Sequence, residues 1–235
     1  MTTIDQPAID PSRTLGELVT ERPGRARVFE AAGIDYCCHG SRPLSEAADE
    51  AGIDVSDIAA QLAAVAPPAQ ARDEDLAPAE LAAHIEEKHH GYLHAELPLL
   101  VALADKVASV HGERHAELAE VARLVTTVRD DLEPHLAKEE TFLFPVTQEL
   151  AGGEAAGVGD AVHASVEELM VEHAALGEVL GQLRVLTDDY RIPADACASY
   201  TSLYQRLAEL ETDTFRHIHL ENNVLFPAVE RLASS

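Results

Sequence analysis

The 235-residue chain has no tryptophan, two methionines and only 4% aromatic residues. Cysteine is scarce as well: there are three, two of them adjacent, which is too few for a disulfide framework. Such usage fits a reducing compartment, and a cytoplasmic location is expected. Basic residues number 17 against 42 acidic ones, a formal charge of -25. That surface repels phosphate backbones, so nucleic acid is not an expected partner. The longest apolar run, around Leu97 to Ala104, is far too short to span a bilayer, and Met1 to Arg13 shows no signal-peptide pattern. No stretch has the alternation or β-branched enrichment of a strand.

What remains is 46% hydrophobic, mostly Ala, Leu and Val with abundant Glu, a composition that favours helices. The Pro-, Ala- and charge-rich segment Ala66 to Pro78 reads as a linker and predicts three parts: a small helical domain over 1–66, a linker over 67–78 and a longer helical domain over 79–235. In the first part Thr14 caps a helix through Thr20. Pro23 opens another that stops at Gly33, a third covers about 43–51, and Asp54 or Ser56 caps a last helix to Val65. In the second, four long segments are expected at about 78–110, 113–150, 160–188 and 193–232, with kinks at Pro98 and Pro134. Four long helices on short connections predict an all-α, up-down-up-down four-helix bundle.

One phrase occurs twice. His135-Leu-Ala-Lys-Glu139-Glu-Thr-Phe-Leu143-Phe144-Pro145 recurs as His217-Ile-His-Leu-Glu221-Asn-Asn-Val-Leu225-Phe226-Pro227. Residues four apart share a helix face, so each copy can aim an imidazole and a carboxylate at one point. The repeat extends further, because His90 precedes His135 by 45 residues and His173 precedes His217 by 44. A pseudo-two-fold bundle with one donor set from each half follows. On spacing alone His90 and His94 share a face, and either or both can be the donor of the first helix. His173 lies on an apolar-patterned helix, where a buried imidazole needs partners for its nitrogens. Phe144 and Phe226 are expected to wall the core, and Pro145 and Pro227 to relax the helix beyond the site. Four imidazoles and two carboxylates without thiolate exclude an iron–sulfur cluster as resident cofactor, and iron is the metal this set suits best.

With these residues in view, the region from Glu80 to Leu232 resembles a hemerythrin-like domain. The phrase from His217 to Pro227 is very similar to the last ligand helix of the iron–sulfur cluster repair di-iron proteins. Gly33-Ile-Asp-Tyr-Cys37-Cys38-His-Gly40 resembles the double-cysteine domain that precedes the bundle in that family, and Leu97-Pro98 and Pro193-Ala-Asp-Ala-Cys197 resemble further family phrases. The resemblance implies two non-haem iron ions, oxo- or hydroxo-bridged, held by His90, His135, Glu139, His173, His217 and Glu221, with the two glutamates bridging. It leaves Glu140 and His219 at the surface or behind the ligands. It departs at His39, where relatives tend to carry Gly. Oxygen-carrying hemerythrins place a second His four residues on along the third helix, and here that position is Gly177.

Adjacent cysteines do not chelate as Cys-x-x-Cys does. Cys37 and Cys38 read either as small, half-buried hydrophobes after a helix C-cap or, from flanking Gly33 and Gly40, as accessible thiols; the resemblance gives them a thiol role on a tethered domain, whereas Cys197 reads as packing. The function implied is repair of iron–sulfur clusters damaged by nitric oxide or peroxide. It would proceed by nitric oxide reduction at the di-iron site, with Asp131 and Glu172 as proton relays, or by iron donation. The expected partners are iron–sulfur proteins as clients and small gases, with no membrane and with a homodimer left open. The alternative is an oxygen-binding or oxygen- or nitric-oxide-sensing module.

Overall fold

The computed structural model describes residues 9–67 and 72–234. Residues 68–71 of the expected linker, and 1–8 of the segment read for a leader, lie outside the described residues. The chain is all-α: among the described residues only an isolated bridge, Thr14 with Pro43, has β geometry. No helix is long and apolar enough to cross a membrane. By contact the chain divides into two compact units, one reaching Ala77 and including Ile218–Ala228, the other comprising Pro78–His217 and the residues from Val229 onward.

The first unit is built from short helices: α1 (Leu15–Glu21), α2 (Ala26–Ala31), α3 (Leu44–Glu50) and α4 (Val55–Ala64). Each begins where local chemistry permits. Thr14 and Glu17 form a reciprocal capping box on α1, and Asp54 accepts from the Ser56 N–H at the start of α4. Gly33 (φ 66°) ends α2 in the left-handed conformation. Arg25 is the unexpected member, 2% exposed, with its guanidinium donating to the Leu62 and Leu18 carbonyls that close α4 and α1. The second half of the expected linker is ordered: Asp73–Asp75 make a 3-10 turn, and Arg72 donates to the Thr20 and Glu21 carbonyls. Gly16 and Gly40 meet backbone to backbone (N–H to O, 2.8 Å), and a Cβ on either would collide with the Asn223 side chain.

The second unit is a helical bundle. Its first helix runs through Pro78–Ile85, a wide turn at Glu86–His90, and Gly91–His111. The second runs through Leu118–Lys138, Glu139–Leu143 and Phe144–Gly152, and the third is a continuous Gly159–Leu186. The fourth comprises Ala198–Leu220, Glu221–Leu225 and Phe226–Ala233, of which Ile218–Ala228 is counted with the first unit. The first and third helices pack along the second. Their buried stripes recur at intervals of three and four, as in Leu93, Leu97, Leu100, Ala104 and Val107. The third stripe, Val162, Val166, Leu169, His173, Leu176, Leu180 and Leu183, carries an imidazole in an otherwise apolar row. Ion pairs tie the fourth helix to its neighbours: Arg206 to Glu96 (2.5 Å), and Arg184 to the buried Glu211.

Helical structure continues through Pro98 and Pro134, where kinks were expected. The irregularities are three π-turns, at Glu86–His90, Glu139–Leu143 and Glu221–Leu225, in which an N–H reaches back five residues in place of four. Two of them stand just before Pro145 and Pro227. A proline ring presses on the carbonyl four residues earlier, and a wider turn relieves that pressure.

Candidate metal centre

The six donors proposed from the sequence come together. His90, Glu139, His217 and Glu221 form one group whose ligand atoms all lie within 4.8 Å of one another, and His135, Glu139, His173 and Glu221 form a second. Glu139 and Glu221 belong to both groups, so two four-donor sets share a pair of carboxylates. Every member is buried, and both glutamates are 0% exposed. Glu221 stands one turn beyond His217 on the same helix, and Glu139 one turn beyond His135. Three of the π-turns begin or end on a donor, namely His90, Glu139 and Glu221.

The imidazole orientations test whether this set suits a cation. His90 Nδ1 lies 2.9 Å from Glu140 Oε1, and His135 Nδ1 lies 2.9 Å from Glu172 Oε2. A carboxylate only accepts, so both Nδ1 atoms carry the proton and both Nε2 atoms present a lone pair. Those lone pairs point inward: His90 Nε2 is 3.2 Å from His217 Nε2, and His135 Nε2 is 3.0 Å from His173 Nε2. His90 Nε2 and His135 Nε2 are each 3.4 Å from Glu139 Oε2. Imidazole lone pairs converging on buried carboxylates are what a mixed nitrogen–oxygen cation site requires, and the residues fit one.

Further residues hold this arrangement. His94, which shares a face with His90, is half-exposed and donates to the same Glu140 oxygen at 2.8 Å; it belongs to neither donor group. Burial works to raise the Glu140 carboxyl, but hydrogen bonds from His94 and His90 outweigh it and hold the group below its ordinary range. Burial opposes ionisation of Glu172 in the same way and is outweighed by Lys138 and His135. Glu172, Asp131 and His135 line a cavity of about 220 Å³, so the acid behind His135 reaches solvent-sized space. Phe144 packs against the His90 ring at 5.1 Å, giving the apolar wall expected of it. His89, which sequence reasoning left undistinguished from its neighbours, is 1% exposed, stacks at 5° on the His217 ring and pairs with Asp213 at 2.9 Å. The only signal for it was adjacency to His90.

Three expectations need correction. His219 is not at the surface. It is fully buried in the first unit, its ring 5.6 Å from Tyr36 and its Nε2 3.5 Å from Thr20 Oγ1. The cysteine pair is less open than its flanking glycines suggested: Cys37 is 1% exposed and Cys38 half-buried. Their sulfurs are 3.7 Å apart and unbonded. Asp35 Oδ1 accepts from the Cys37 and Cys38 N–H groups (3.0 and 2.9 Å), and the Cys37 carbonyl accepts from Asn222 and Asn223. Burial pushes the Cys37 thiol far above its ordinary value, so it is neutral at pH 7. Cys197 is exposed rather than packed, with its sulfur 3.1 Å from His111 Nε2.

Comparison with known proteins finds relatives of both parts of the chain. Residues 11–66 match ScdA_N, a domain of unknown function, and residues 81–229 match the hemerythrin HHE cation binding domain. The chain is 35% identical over 221 residues to the iron-sulfur cluster repair protein YtfE of Musicola paradisiaca, covering 93% of this chain and 96% of that one. It is 36% identical over 217 residues to the protein of that name from Edwardsiella ictaluri, covering 92% and 95%. It is also 36% identical over 216 residues to the one from an Enterobacter species, covering 91% and 94%. With its double-cysteine unit, its cation-binding bundle and relatives aligned over nearly their whole length, the chain belongs to the YtfE family of iron–sulfur cluster repair proteins.

Proposed function

We propose that this protein repairs iron–sulfur clusters damaged by nitrosative or oxidative stress, using two non-haem iron ions held in the bundle. The observation that carries the reading is the pair of four-donor groups sharing Glu139 and Glu221. It supports one ion per group, with His90 and His217 holding one and His135 and His173 the other. Bound there, the irons would supply two electrons and open positions for a small ligand such as nitric oxide.

The protein's own residues would do the rest. Glu140 and Glu172 fix the tautomers of His90 and His135 and so keep Nε2 directed inward. Glu172, on the wall of the cavity, is held as a carboxylate by Lys138 and His135 and keeps the His135 ring in place. Asp131 lines the same cavity and is the acid that would pass protons from solvent. Phe144 excludes water from the His90 side. This arrangement favours nitric oxide reduction over simple iron storage, because a store needs no acid poised at a cavity. Damaged iron–sulfur proteins are the clients in this reading, with small gases as substrates and the cytoplasm as the setting. The third helix offers His173 but Gly177 one turn later, which disfavours a reversible oxygen carrier.

The test is anaerobic titration of the reduced, iron-loaded protein with nitric oxide, measuring nitrous oxide and retained iron. Turnover without loss of iron is the expected result. Transfer of iron to an apo-cluster protein with no gas formed would make it a donor instead.

A further inference from the structure

Outside the bundle, one other cluster has the makings of a metal site. Asp35, Cys37 and Cys38 offer three donor atoms that all lie within 4.8 Å of one another. Neighbouring side chains on an extended strand point to opposite faces, the reason adjacent cysteines are not expected to chelate. Here the chain enters a turn over residues 38–41, and both sulfurs come to the same side. Two thiolates at ~2.3 Å from a tetrahedral cation lie ~3.7–3.8 Å apart, the edge of the tetrahedron. The sulfurs stand at 3.7 Å. Cys37 Sγ donates to Asp35 Oδ1 at 3.2 Å, a hydrogen bond that a cation between the two would replace.

The surroundings hold this geometry in place. Asp35 is fixed by two backbone N–H groups on Oδ1, and His39 Nδ1 sits 2.7 Å from Oδ2. The Cys37 carbonyl is gripped by two asparagine amides. Cys37 is sealed from water, while Cys38 is half-buried and His39 is 56% exposed, so a cation would enter past Cys38 and His39. Burial disfavours a bare Cys37 thiolate, and a cation in its place would neutralise the charge.

We propose that Asp35, Cys37 and Cys38 form a mononuclear site for a thiophilic divalent cation of the zinc or ferrous class, with His39 orienting the carboxylate. The two thiol protons leave to solvent as the metal–sulfur bonds form, and no electrons are exchanged. Three protein donors leave the fourth tetrahedral position open, which makes this an exchange site rather than a closed structural one.

Cobalt(II) titration of the full-length, iron-loaded protein under reducing conditions tests this. Thiolate-to-cobalt absorption, cobalt per chain and iron per chain are all read on the same samples. One cobalt per chain with thiolate absorption is expected. Both are lost in Cys37→Ser/Cys38→Ser while iron is unchanged, affinity falls at least tenfold in Asp35→Asn, and Cys197→Ser has no effect. Absence of thiolate absorption in the unsubstituted protein would overturn the proposal. So would absorption that survives the double substitution and disappears in Cys197→Ser. Should the double variant lose its helical circular dichroism, Cys38→Ser carries the test, and undiminished cobalt affinity there also overturns it. Because iron in the same samples reports on the bundle, either site can fail without the other.

Discussion

The bundle centre and the double-cysteine turn solve one problem, gathering donors, by opposite means. In the bundle, donors more than a hundred residues apart meet because four amphipathic helices pack, and two of the four imidazoles are aimed by an acid on another helix: His90 by Glu140 and His135 by Glu172. In the turn, the three proposed donors fall within four consecutive positions, 35 to 38, held by local backbone hydrogen bonds to Asp35. The bundle's chemistry depends on tertiary structure and on a second rank of residues. The turn's chemistry depends on its own backbone and on the snug fit of glycines beneath it. Perturbing the helices should therefore change metal content first, and perturbing the turn should change stability first.

The largest effect distinguishes shared from unshared donors. Glu139→Ala should remove both irons, since Glu139 belongs to both groups, whereas His173→Ala should leave one. Elemental analysis of purified variants decides this, and a Glu139→Ala protein retaining one full equivalent would contradict the shared carboxylate.

Next, Glu140→Ala should lower iron affinity by about 10- to 100-fold without touching a ligand, because it removes the acceptor that holds His90 Nδ1. Competition with a chelator measures it. An unchanged affinity would mean that the outer acids do not aim the imidazoles.

In the turn, Gly40→Ala should cost about 1–3 kcal/mol of stability by overpacking, with iron content intact. Gly16→Ala should cost less. A Cβ at Gly40 meets the Tyr36 carbonyl at 2.8 Å besides the movable Asn223 side chain, while at Gly16 the nearest backbone atom is 3.1 Å away. Thermal unfolding of the two variants gives the order.

The smallest effect is kinetic. Burial raises the Cys37 thiol above its ordinary value, so little thiolate exists near neutral pH, and thiolate is the reactive form. In folded, metal-free protein Cys37 should alkylate several-fold more slowly than exposed Cys197. Its rate should climb as pH rises, and the difference should vanish in denaturant. Peptide mapping after brief iodoacetamide treatment reads both sites.

The contrast also explains what the sequence revealed. Helix-borne donors are legible because the four-residue spacing of His135 with Glu139 and of His217 with Glu221 has a direct geometric meaning, and because the phrase occurs twice. The cap at Thr14 and the stop at Gly33 were legible for the same local reason. Spacing could not separate His90 from His94: one turn apart on one face, they differ only in how deeply the bundle covers them. His219 was misjudged because its burial comes from Tyr36 and Thr20, roughly two hundred residues away in the chain. The cysteine pair was misjudged because glycine signals a turn and says nothing about what lies over it. Pro145 and Pro227 were expected to relax the helix beyond the site, and the wide turns stand just before them, while the helices run on through Pro98 and Pro134.

Those wide turns have a consequence for the rest of each helix. One added residue rotates everything downstream by about 100° relative to an unbroken α-helix. The face that presents a donor and the face that seals the core beyond it are thereby set independently of each other. Removing a single residue from Thr141–Leu143 would keep every donor's identity and still turn Phe144 and Val146 away from the interior they fill. In this protein the phase of the helix is as much a part of the site as the side chains it carries.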